Sequence, residues 1–460
     1  MLGHCWRVVR RIVIVSATLG AFVTMFYLFE NWRGHYAWKH LKAELAARGE
    51  RLKPSDYTAA SVPAEQNFAE TPVLRAITYR SNMDSNLFRK FELVHRSLSY
   101  FPNGTEPVSK ENADKVLAAF QNIAAEMAEL RAATKCPYAQ FPKTNDNAFL
   151  GDVPNFITLR TLSHLFSIHA SAELVAGHSE RARADIAVVQ RLADSLRGKT
   201  TLVEAMIRVS VLGLTLPPFE EGLRAGAWSD AELAAFQKSF ESEELLTGLD
   251  AAMRGGERNS ITELVAELPR ARLMETIGGN GPQNWKTDCF NLAVRWCPRG
   301  WLEQNAVKYS QVMQHQFDVY DVKQQRVFPD KCDATSAFID AELKTMTPYK
   351  YLVALGMPNF AKATQITAER QIYLQEATLA CALERFRRAR GEYPEALAAL
   401  VPQFIARLPT DVMTGQALKY QRADKDKFTL YSVGWNLKDD GGIRTSNRIE
   451  GDWVWPPARL

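Results

Sequence analysis

The sequence predicts a mainly α-helical protein with an N-terminal transmembrane helix, a repeat-like body of helical hairpins and a small C-terminal α+β module. Three observations predict this fold class. An uncharged apolar run lies near the start, apolar residues recur at helical spacing through most of the chain, and short alternating segments occur after residue 416. With 460 residues, 46% of them apolar, the chain can bury a sizeable core.

The first predicted element is a membrane anchor. Ile12–Phe29 contains no charged residue, Pro, Asn or Gln. At about 1.5 Å per residue it spans roughly 27 Å, close to the ~30 Å thickness of a hydrocarbon core. Arg7, Arg10 and Arg11 precede it and favour a cytoplasmic N-terminus. We therefore expect a single-pass protein of the inner (cytoplasmic) membrane, with its bulk in the periplasm or extracytoplasmic space.

A cleaved signal peptide is the alternative interpretation of this segment. The apolar run is longer than the usual ~7–15 residues of such peptides. It ends in large residues, Met25 to Phe29, where cleavage would need small ones. Trp32, Tyr36 and Trp38 follow at the position of an interfacial aromatic belt. An uncleaved anchor fits these features better.

The charge balance bears on the class of partner. Removing the three N-terminal arginines from the net charge of +4 leaves +1 for the rest of the chain. Nucleic-acid binding needs a concentrated basic surface, so this balance argues against it. A protein partner in the cell envelope is the expectation that remains.

The cysteine content excludes a disulfide scaffold, because the chain has only six cysteines. Cys136, Cys289, Cys297 and Cys332 would lie outside the cytoplasm, where bridges can form. The local pair Cys289–Cys297 is favoured because Pro298 and Gly300 mark a turn beside it. Unpaired buried thiols are the alternative.

Four segments are predicted along the chain. Residues 1–30 form the cytoplasmic tip and transmembrane helix, and residues 31–72 form a juxtamembrane stalk and connector. Residues 73–357 form a helical domain, and residues 358–460 form a long helix followed by a small α+β module.

Helical periodicity defines the body. Ser109–Lys135 begins with a plausible N-cap and places Val116, Phe120, Ile123 and Met127 on one face. Ile157–Ala176 is followed by Gly177 and a second amphipathic run, a pattern typical of an antiparallel hairpin. His169 lies on the apolar stripe of the first of these two helices, and we expect it to be a hydrogen-bonded core residue.

Further boundaries follow from caps and breakers. Ser229-x-x-Glu232 and Ser260-x-x-Glu263 match the capping-box pattern. A long helix is predicted over Ala361–Arg390 and a short one over Glu395–Ala406. Ala417–Arg422 and Phe428–Val433 alternate like strands, and Trp453–Val454–Trp455 could add another.

The tail resembles a known family. The stretch ALERFRRARGEYPEALAALVPQFIARLPTD, a G-x-x-L-x-Y strand, FTLYSVG and DDGG together resemble the C-terminal part of type II secretion major pseudopilins. A similar segment occurs in an uncharacterised family of bacterial membrane-anchored proteins. The matching residues are Leu383, Tyr393, Pro394, Leu400, Pro409, Asp411, Gly415, Tyr420, Tyr431, Gly434, Asp439, Asp440 and Gly442. The chain has no prepilin-peptidase motif, because Arg10 and Arg11 directly precede Ile12.

The pseudopilin resemblance implies a calcium site in the acidic loop. Its equivalent here draws on Asn436, Asp439, Asp440 and Asp452, and Ca²⁺ takes six to eight oxygen ligands of this kind. The alternative is a solvated Asp-Gly turn, since both residues favour turns for backbone reasons. No other cofactor is expected.

The sequence contains no G-x-S-x-G, H-E-x-x-H, C-x-x-C or G-x-G-x-x-G motif. The leading hypothesis is therefore a membrane-anchored interaction or scaffold protein of the cell envelope. One alternative is a non-cleaved accessory of a secretion or pseudopilus-like system, which rests on the tail. Another is an envelope hydrolase whose site lies between helices.

Overall fold

The computed structural model describes residues 2–57, 60–79, 83–98, 108–142, 154–198, 201–278, 292, 294–345, 347–351 and 357–458. Within them the protein is mainly α-helical, with the long N-terminal apolar helix and the small C-terminal sheet that the sequence predicts. The chain forms two compact units. The anchor unit comprises Met1–Asp56, Gly255–Gln316 and Thr335–Asn359; the hairpin unit comprises Tyr57–Arg254, Phe317–Ala334 and Phe360–Leu460.

The α-helices follow one another along the described residues with short connections. They are α1 (Leu2–Ala47), α2 (Pro72–Thr78), α3 (Ser85–Leu98), α4 (Lys110–Ala119), α5 (Ala124–Ala133), α6 (Phe156–Val175), α7 (Ser179–Asp194), α8 (Leu202–Gly213), α9 (Leu216–Arg224), α10 (Asp230–Glu241), α11 (Leu245–Ala252), α12 (Ile261–Ala266), α13 (Arg270–Gly278), α14 (Arg299–Phe317), α15 (Pro329–Leu343) and α16 (Ala361–Arg390). A π-helix, Met253–Ser260, joins α11 to α12.

Five short strands complete the described structure. A two-stranded ribbon pairs β1 (Tyr320–Asp321) with β2 (Arg326–Val327). An antiparallel sheet of order β3-β4-β5 contains β3 (Lys419–Asp424), β4 (Lys427–Ser432) and β5 (Trp453–Val454). The three predicted tail strands are thus confirmed, with shifts of one or two residues at their ends.

Helix α1 runs without a break through the predicted transmembrane segment and on to Ala47. The chain then leaves the helix at Gly49, whose φ of +76° suits a residue without a side chain. Residues Leu202–Arg224 also form a stretch long and apolar enough to cross a membrane. However, 56% of the most apolar 18-residue part of this stretch is buried within the protein. They behave as core helices of the hairpin unit.

The hairpin unit is organised around α16. This helix packs against α8, α9, α10, α11 and the C-terminal sheet, which is why polar as well as apolar residues along it are buried. The α6–α7 hairpin is confirmed, with Gly177 at φ +83° between the helices. Gly391, at φ +87°, ends α16 at the predicted residue.

The caps agree with the sequence at two positions and disagree at one. Ser109 accepts from the Asn112 amide, and Ser229 forms a full capping box with Glu232. The box predicted at Ser260 is wrong, because the π-helix runs directly into α12 and leaves no free N-terminus there. Ser260 Oγ instead donates to the Gly255 carbonyl at 3.1 Å.

Two predicted helices are corrected. Ser109–Lys135 is divided into α4 and α5 by a 3₁₀ turn at Phe120–Ile123, although its apolar stripe is buried as expected. The predicted helix Glu395–Ala406 is reduced to one 3₁₀ turn, Leu397–Leu400. Pro402 lacks an N–H and disfavours helical geometry before it, so the helix cannot continue.

Candidate functional site

Helix α1 changes its environment abruptly at Glu30. The apolar segment before it is exposed apart from the half-buried Tyr27, and no residue of its most apolar 18-residue stretch is buried. From that point one face of the same helix is buried in the anchor unit. The buried residues are Glu30, Gly34, Trp38, Leu41 and Leu45, spaced by four, four, three and four. The helix therefore supplies both an apolar segment, Ile12–Phe29, which we call the apolar rod, and part of a folded unit.

The packing of α1 on α14 depends on two glycines. A Cβ built on Gly34 would lie 2.2 Å from the Gly300 carbonyl oxygen, and one on Gly300 would lie 1.9 Å from the Glu30 carbonyl oxygen. The backbones therefore touch, and neither position tolerates a side chain. The Gly300 amide also donates to Asn31 Oδ1 at 3.0 Å. We call this contact the glycine crossing.

A buried carboxylate reinforces the glycine crossing. Glu30, only 4% exposed, accepts a hydrogen bond from Trp301 Nε1 at 3.0 Å and one from Arg33 at 2.8 Å. The Arg33 guanidinium also lies 4.4 Å from the centre of the Tyr349 ring.

The turn predicted at Pro298–Gly300 is wrong. Gly300 lies in the first turn of α14, after a proline suited to a helix start.

The hairpin unit contains a cleft of about 690 Å³, which we call the polar cleft. It lies between the end of α10, the β1–β2 turn, α16 and the loop after the 3₁₀ turn. Its wall consists of Lys238, Phe240, Glu241, Ser242, Glu243, Glu244, Lys323, Gln324, Gln325, Gln371, Gln375, Thr378, Ile405, Ala406, Arg407, Leu408, Pro409 and Thr410. Both signs of charge and many hydrogen-bonding groups therefore face one opening.

Two glutamines of α16 fix the walls of the polar cleft. Gln371 accepts from the Leu245 amide at 2.8 Å and donates to the Glu243 carbonyl at 2.9 Å, which holds the α10–α11 connection in place. Gln375 donates to the Thr410 carbonyl at 3.0 Å on the other wall. Its Oε1 is buried and lacks a hydrogen-bond partner among the described residues. One acceptor in the wall thus remains unused.

Two hydroxyl groups in the described wall of the polar cleft are engaged by backbone carbonyls. None of its described wall residues is His or Cys. The Ser242 and Thr378 hydroxyls already donate to the backbone carbonyls of Ser239 and Leu374, at 2.7 and 2.9 Å. An activated nucleophile needs a base within hydrogen-bond reach.

A buried ion cluster joins α5, α6 and α7. Asp185, fully buried, accepts from Arg131 Nε at 2.7 Å and bonds His169 Nδ1 at 2.7 Å. His178 Nδ1 bonds Glu173 Oε2 at 2.6 Å beside it. The expectation that His169 is a hydrogen-bonded core residue is confirmed: it is 6% exposed and packs on Phe120 at 4.6 Å.

A fully buried acid lies between α16 and the C-terminal sheet. Burial raises the pKa of Glu376 well above its usual value, and the nearby Asp411 carboxylate raises it further. Arg444 and the Ser432 amide lower it only in part. Its oxygens have no well-formed hydrogen bond among the described residues. Glu376 is therefore neutral in the folded protein at a pH where the unfolded chain ionises it.

Replacing Glu376 by Gln is expected to change how stability depends on pH. An acid with a raised folded pKa stabilises the fold fully below its unfolded pKa of 4.5, and the contribution is lost as pH rises. Above that pH, the free energy of unfolding of the variant should thus increase relative to the wild type by up to ~1.4 kcal/mol per pH unit. Urea unfolding between pH 5 and 8 measures the difference.

Glu384 on the same helix provides a matched control. Burial alone would raise its pKa, but Arg387 and Arg388 bring the pKa below its usual value. Its stabilising contribution is therefore present above pH 4.5 and is lost as the pH falls through the folded pKa. Glu384→Gln should lose stability evenly between pH 5 and 8. A flat difference for Glu376→Gln over that range would contradict the assignment of a raised pKa.

The four residues predicted to bind calcium lie around one turn of the C-terminal module. Asn436 Nδ2 donates to Asp440 Oδ2 at 3.2 Å, and Asp452 accepts the Asp440 and Gly442 amides at 3.3 and 2.6 Å. Asp439 faces Lys419 Nζ at 3.2 Å. Among the described residues no group of three or more His, Cys, Asp and Glu is placed to hold a metal. Calcium binding by the four residues stays a prediction.

The cysteines are thiols where the structure describes them. Cys136 and Cys297 are free, and Cys332 is buried. The favoured Cys289–Cys297 bridge is wrong, because Cys297 is a free thiol whose Sγ lies 3.7 Å from the Val294 carbonyl. Cys289 itself lies outside the described residues. The expected turn at Pro298–Gly300 is a helix start, so the geometry favouring a local bridge is missing.

The buried face of α1 has a recognisable sequence pattern, whereas the polar cleft does not. The spacing of Glu30, Gly34, Trp38, Leu41 and Leu45 fits a helix with one buried face, although two of its members are not apolar. The polar cleft has no such pattern, because its walls come from four separate stretches. No family model, curated protein or solved structure matches the chain.

Proposed function

We propose that this chain is a single-pass membrane-anchored interaction protein that binds a polypeptide partner in its polar cleft. The observation that carries the proposal is the change in α1 at Glu30, where an exposed apolar rod becomes the buried face of a folded unit. Such a helix supports a rigid attachment of the anchor unit to a membrane, because no flexible connection separates the rod from the folded part.

The charges flanking the apolar rod support the orientation. Arg7, Arg10 and Arg11 precede it, and such residues are retained on the cytoplasmic side. The N-terminus then lies in the cytoplasm, and the chain after Phe29 lies on the outer side of the inner membrane. The tail's resemblance to pseudopilins agrees with an envelope location.

The polar cleft suits an extended polypeptide. Lys238, Lys323 and Arg407 offer cations, and Glu241 and Glu244 offer anions, in the wall of the cleft. A peptide carries both charge signs and many amides, so it can use such a surface.

The anchor is tested by fractionation and protease protection in cells. We expect the full chain to stay with membranes at alkaline pH and to be digested from outside in spheroplasts. Changing Arg7, Arg10 and Arg11 to Glu should reduce outside digestion, because the orienting charge is removed. Recovery of the intact chain in the soluble fraction would contradict the anchor.

The polar cleft is tested by a photocrosslinking amino acid at Gln324 in the full-length protein. A crosslinked protein is expected there, and its yield should fall when Lys238 and Arg407 are changed to Glu. The same amino acid at the exposed Glu180 is the control. Equal products at both positions would contradict the proposal. A pseudopilin-like product specific to Gln324 would identify the chain as an accessory of a secretion system.

A further inference from the structure

The anchor unit contains an aromatic pocket of about 540 Å³ beside the end of the apolar rod. Phe26 and Tyr27 of α1 form one wall, and Trp296, Trp301 and Tyr351 contribute to the others. This volume lies within the ~300–1,000 Å³ of ordinary ligand sites. The lining is dominated by aromatic carbon, so the pocket suits an apolar ligand.

The rings of the aromatic pocket are held in place. Phe26 and Trp301 meet edge to face, with ring centres 6.1 Å apart, and the Trp301 indole N–H is fixed on Glu30. The Tyr27 hydroxyl donates to the Trp296 carbonyl. Trp296 itself is 65% exposed and lies at the rim. The pocket thus has an ordered floor and an open, amphipathic edge.

The position of the aromatic pocket along α1 points to membrane lipid. Phe26 and Tyr27 belong to the apolar rod, which ends at Phe29, only about 5 Å further along the helix axis. In an inserted chain the opening therefore lies where acyl chains meet headgroups. Trp and Tyr side chains are typical of that depth.

Positive charge lies next to the aromatic pocket. Burial raises the pKa of the Cys297 thiol in its wall, and the positive charges of Arg270 and Arg299 oppose this increase. Arg270 donates to the carbonyls of Val294 and Arg295 at 3.0 and 2.8 Å. It forms no ion pair with a carboxylate among the described residues, so its charge is available to a phosphate.

We propose that the aromatic pocket binds one acyl chain of an anionic phospholipid from the surrounding bilayer, with the phosphate near Arg270. This inference rests on the membrane anchor proposed above. The apolar wall takes the chain, the exposed Trp296 lies at the headgroup level, and the arginine favours a negative headgroup over a zwitterionic one.

The test uses the full chain in vesicles of phosphatidylcholine and phosphatidylglycerol in equal parts. The phosphatidylglycerol carries a photoactivatable diazirine in its acyl chain, and the labelled residues are mapped by mass spectrometry. We expect labels on Leu19 and Phe22 of the apolar rod and also on Trp296, Cys297 and Trp301. Labels on the rod alone would overturn the pocket inference and leave the anchor intact. Absence of both would overturn the anchor and the inference with it.

Variants separate the pocket from general lipid contact. Cys297→Phe fills the pocket wall and should reduce labelling of Trp296 and Trp301 about tenfold, equal to ~1.4 kcal/mol of lost affinity. Cys136→Phe, which places the same ring at a thiol outside the pocket, is the matched control and should keep it. Thr347→Phe, which fills the other wall, gives the same test should Cys297→Phe unfold. Unchanged labelling in a folded filled variant would overturn the proposal.

The headgroup assignment has its own comparison. Arg270→Gln retains donors for the two carbonyls but loses the charge. Pocket labelling by the phosphatidylglycerol probe should then fall to that of the matching phosphatidylcholine probe. A preference for phosphatidylglycerol that survives in Arg270→Gln would overturn the assignment of the phosphate to this arginine.

Discussion

Replacing Gly34 or Gly300 by Ala is expected to separate α14 from α1 and to destabilise the anchor unit by about 3 kcal/mol or more. Each new methyl group would lie within 2.2 Å of a backbone oxygen. Backbone cannot rotate away as a flexible side chain can, so the whole crossing must open. Opening it would also strain the hydrogen bond between Glu30 and Trp301.

Gly20→Ala is the matched control for this prediction. Gly20 lies on the same helix, but a Cβ built there meets nothing within 4 Å. Its replacement should be neutral or stabilise the helix by up to about 1 kcal/mol, since Ala is the better helix former. Thermal unfolding in nanodiscs, followed by tryptophan fluorescence, measures both. Equal unfolding temperatures for Gly34→Ala and Gly20→Ala would contradict the glycine crossing.

Replacing Asp185 by Ala is expected to destabilise the hairpin unit by about 3–5 kcal/mol. Asp185 is fully buried and is the common partner of Arg131 and His169. Removing it leaves a guanidinium and an imidazole without their acceptor in a poorly solvated site. Chemical unfolding of the full protein measures the loss.

Two further variants make this prediction specific. Glu180→Ala removes an exposed acid from the first turn of the same helix and should cost less than about 1 kcal/mol. The double variant Asp185→Ala/His169→Ala should cost less than the sum of the two single ones, because the two residues share one bond. Strict additivity would show that the His169–Asp185 contact contributes nothing.

Much of the fold follows from signals within a few turns of chain. Ala361–Arg390 was predictable because helical spacing runs up to a glycine that can take a positive φ. The tail strands were predictable because residues alternate around a short charged turn. The capping box at Ser229 depends on one side chain and an amide three residues away. Such features are local, so the sequence contains all that is needed to recognise them.

Two predictions from the sequence were wrong, for equally physical reasons. Ser260-x-x-Glu263 has the correct capping spacing, yet a continuous π-helix leaves no helix start there to cap. Helix α14 was missed because Pro298 and Gly300 favour a turn locally, while the close approach to Glu30 requires that glycine within a helix. In both cases the packing of distant residues overrides the local preference.

Local patterns are enough to recognise the apolar rod, the long helix α16, the α6–α7 hairpin and the strands of the tail, because burial patterns and turn residues recur within one element. Packing between distant segments brings Gly34 against Gly300, places Asp185 between Arg131 and His169, and encloses the polar cleft with four separate stretches. Which distant residues become partners depends on the packing free energy of the whole unit, and no short stretch of chain contains that information.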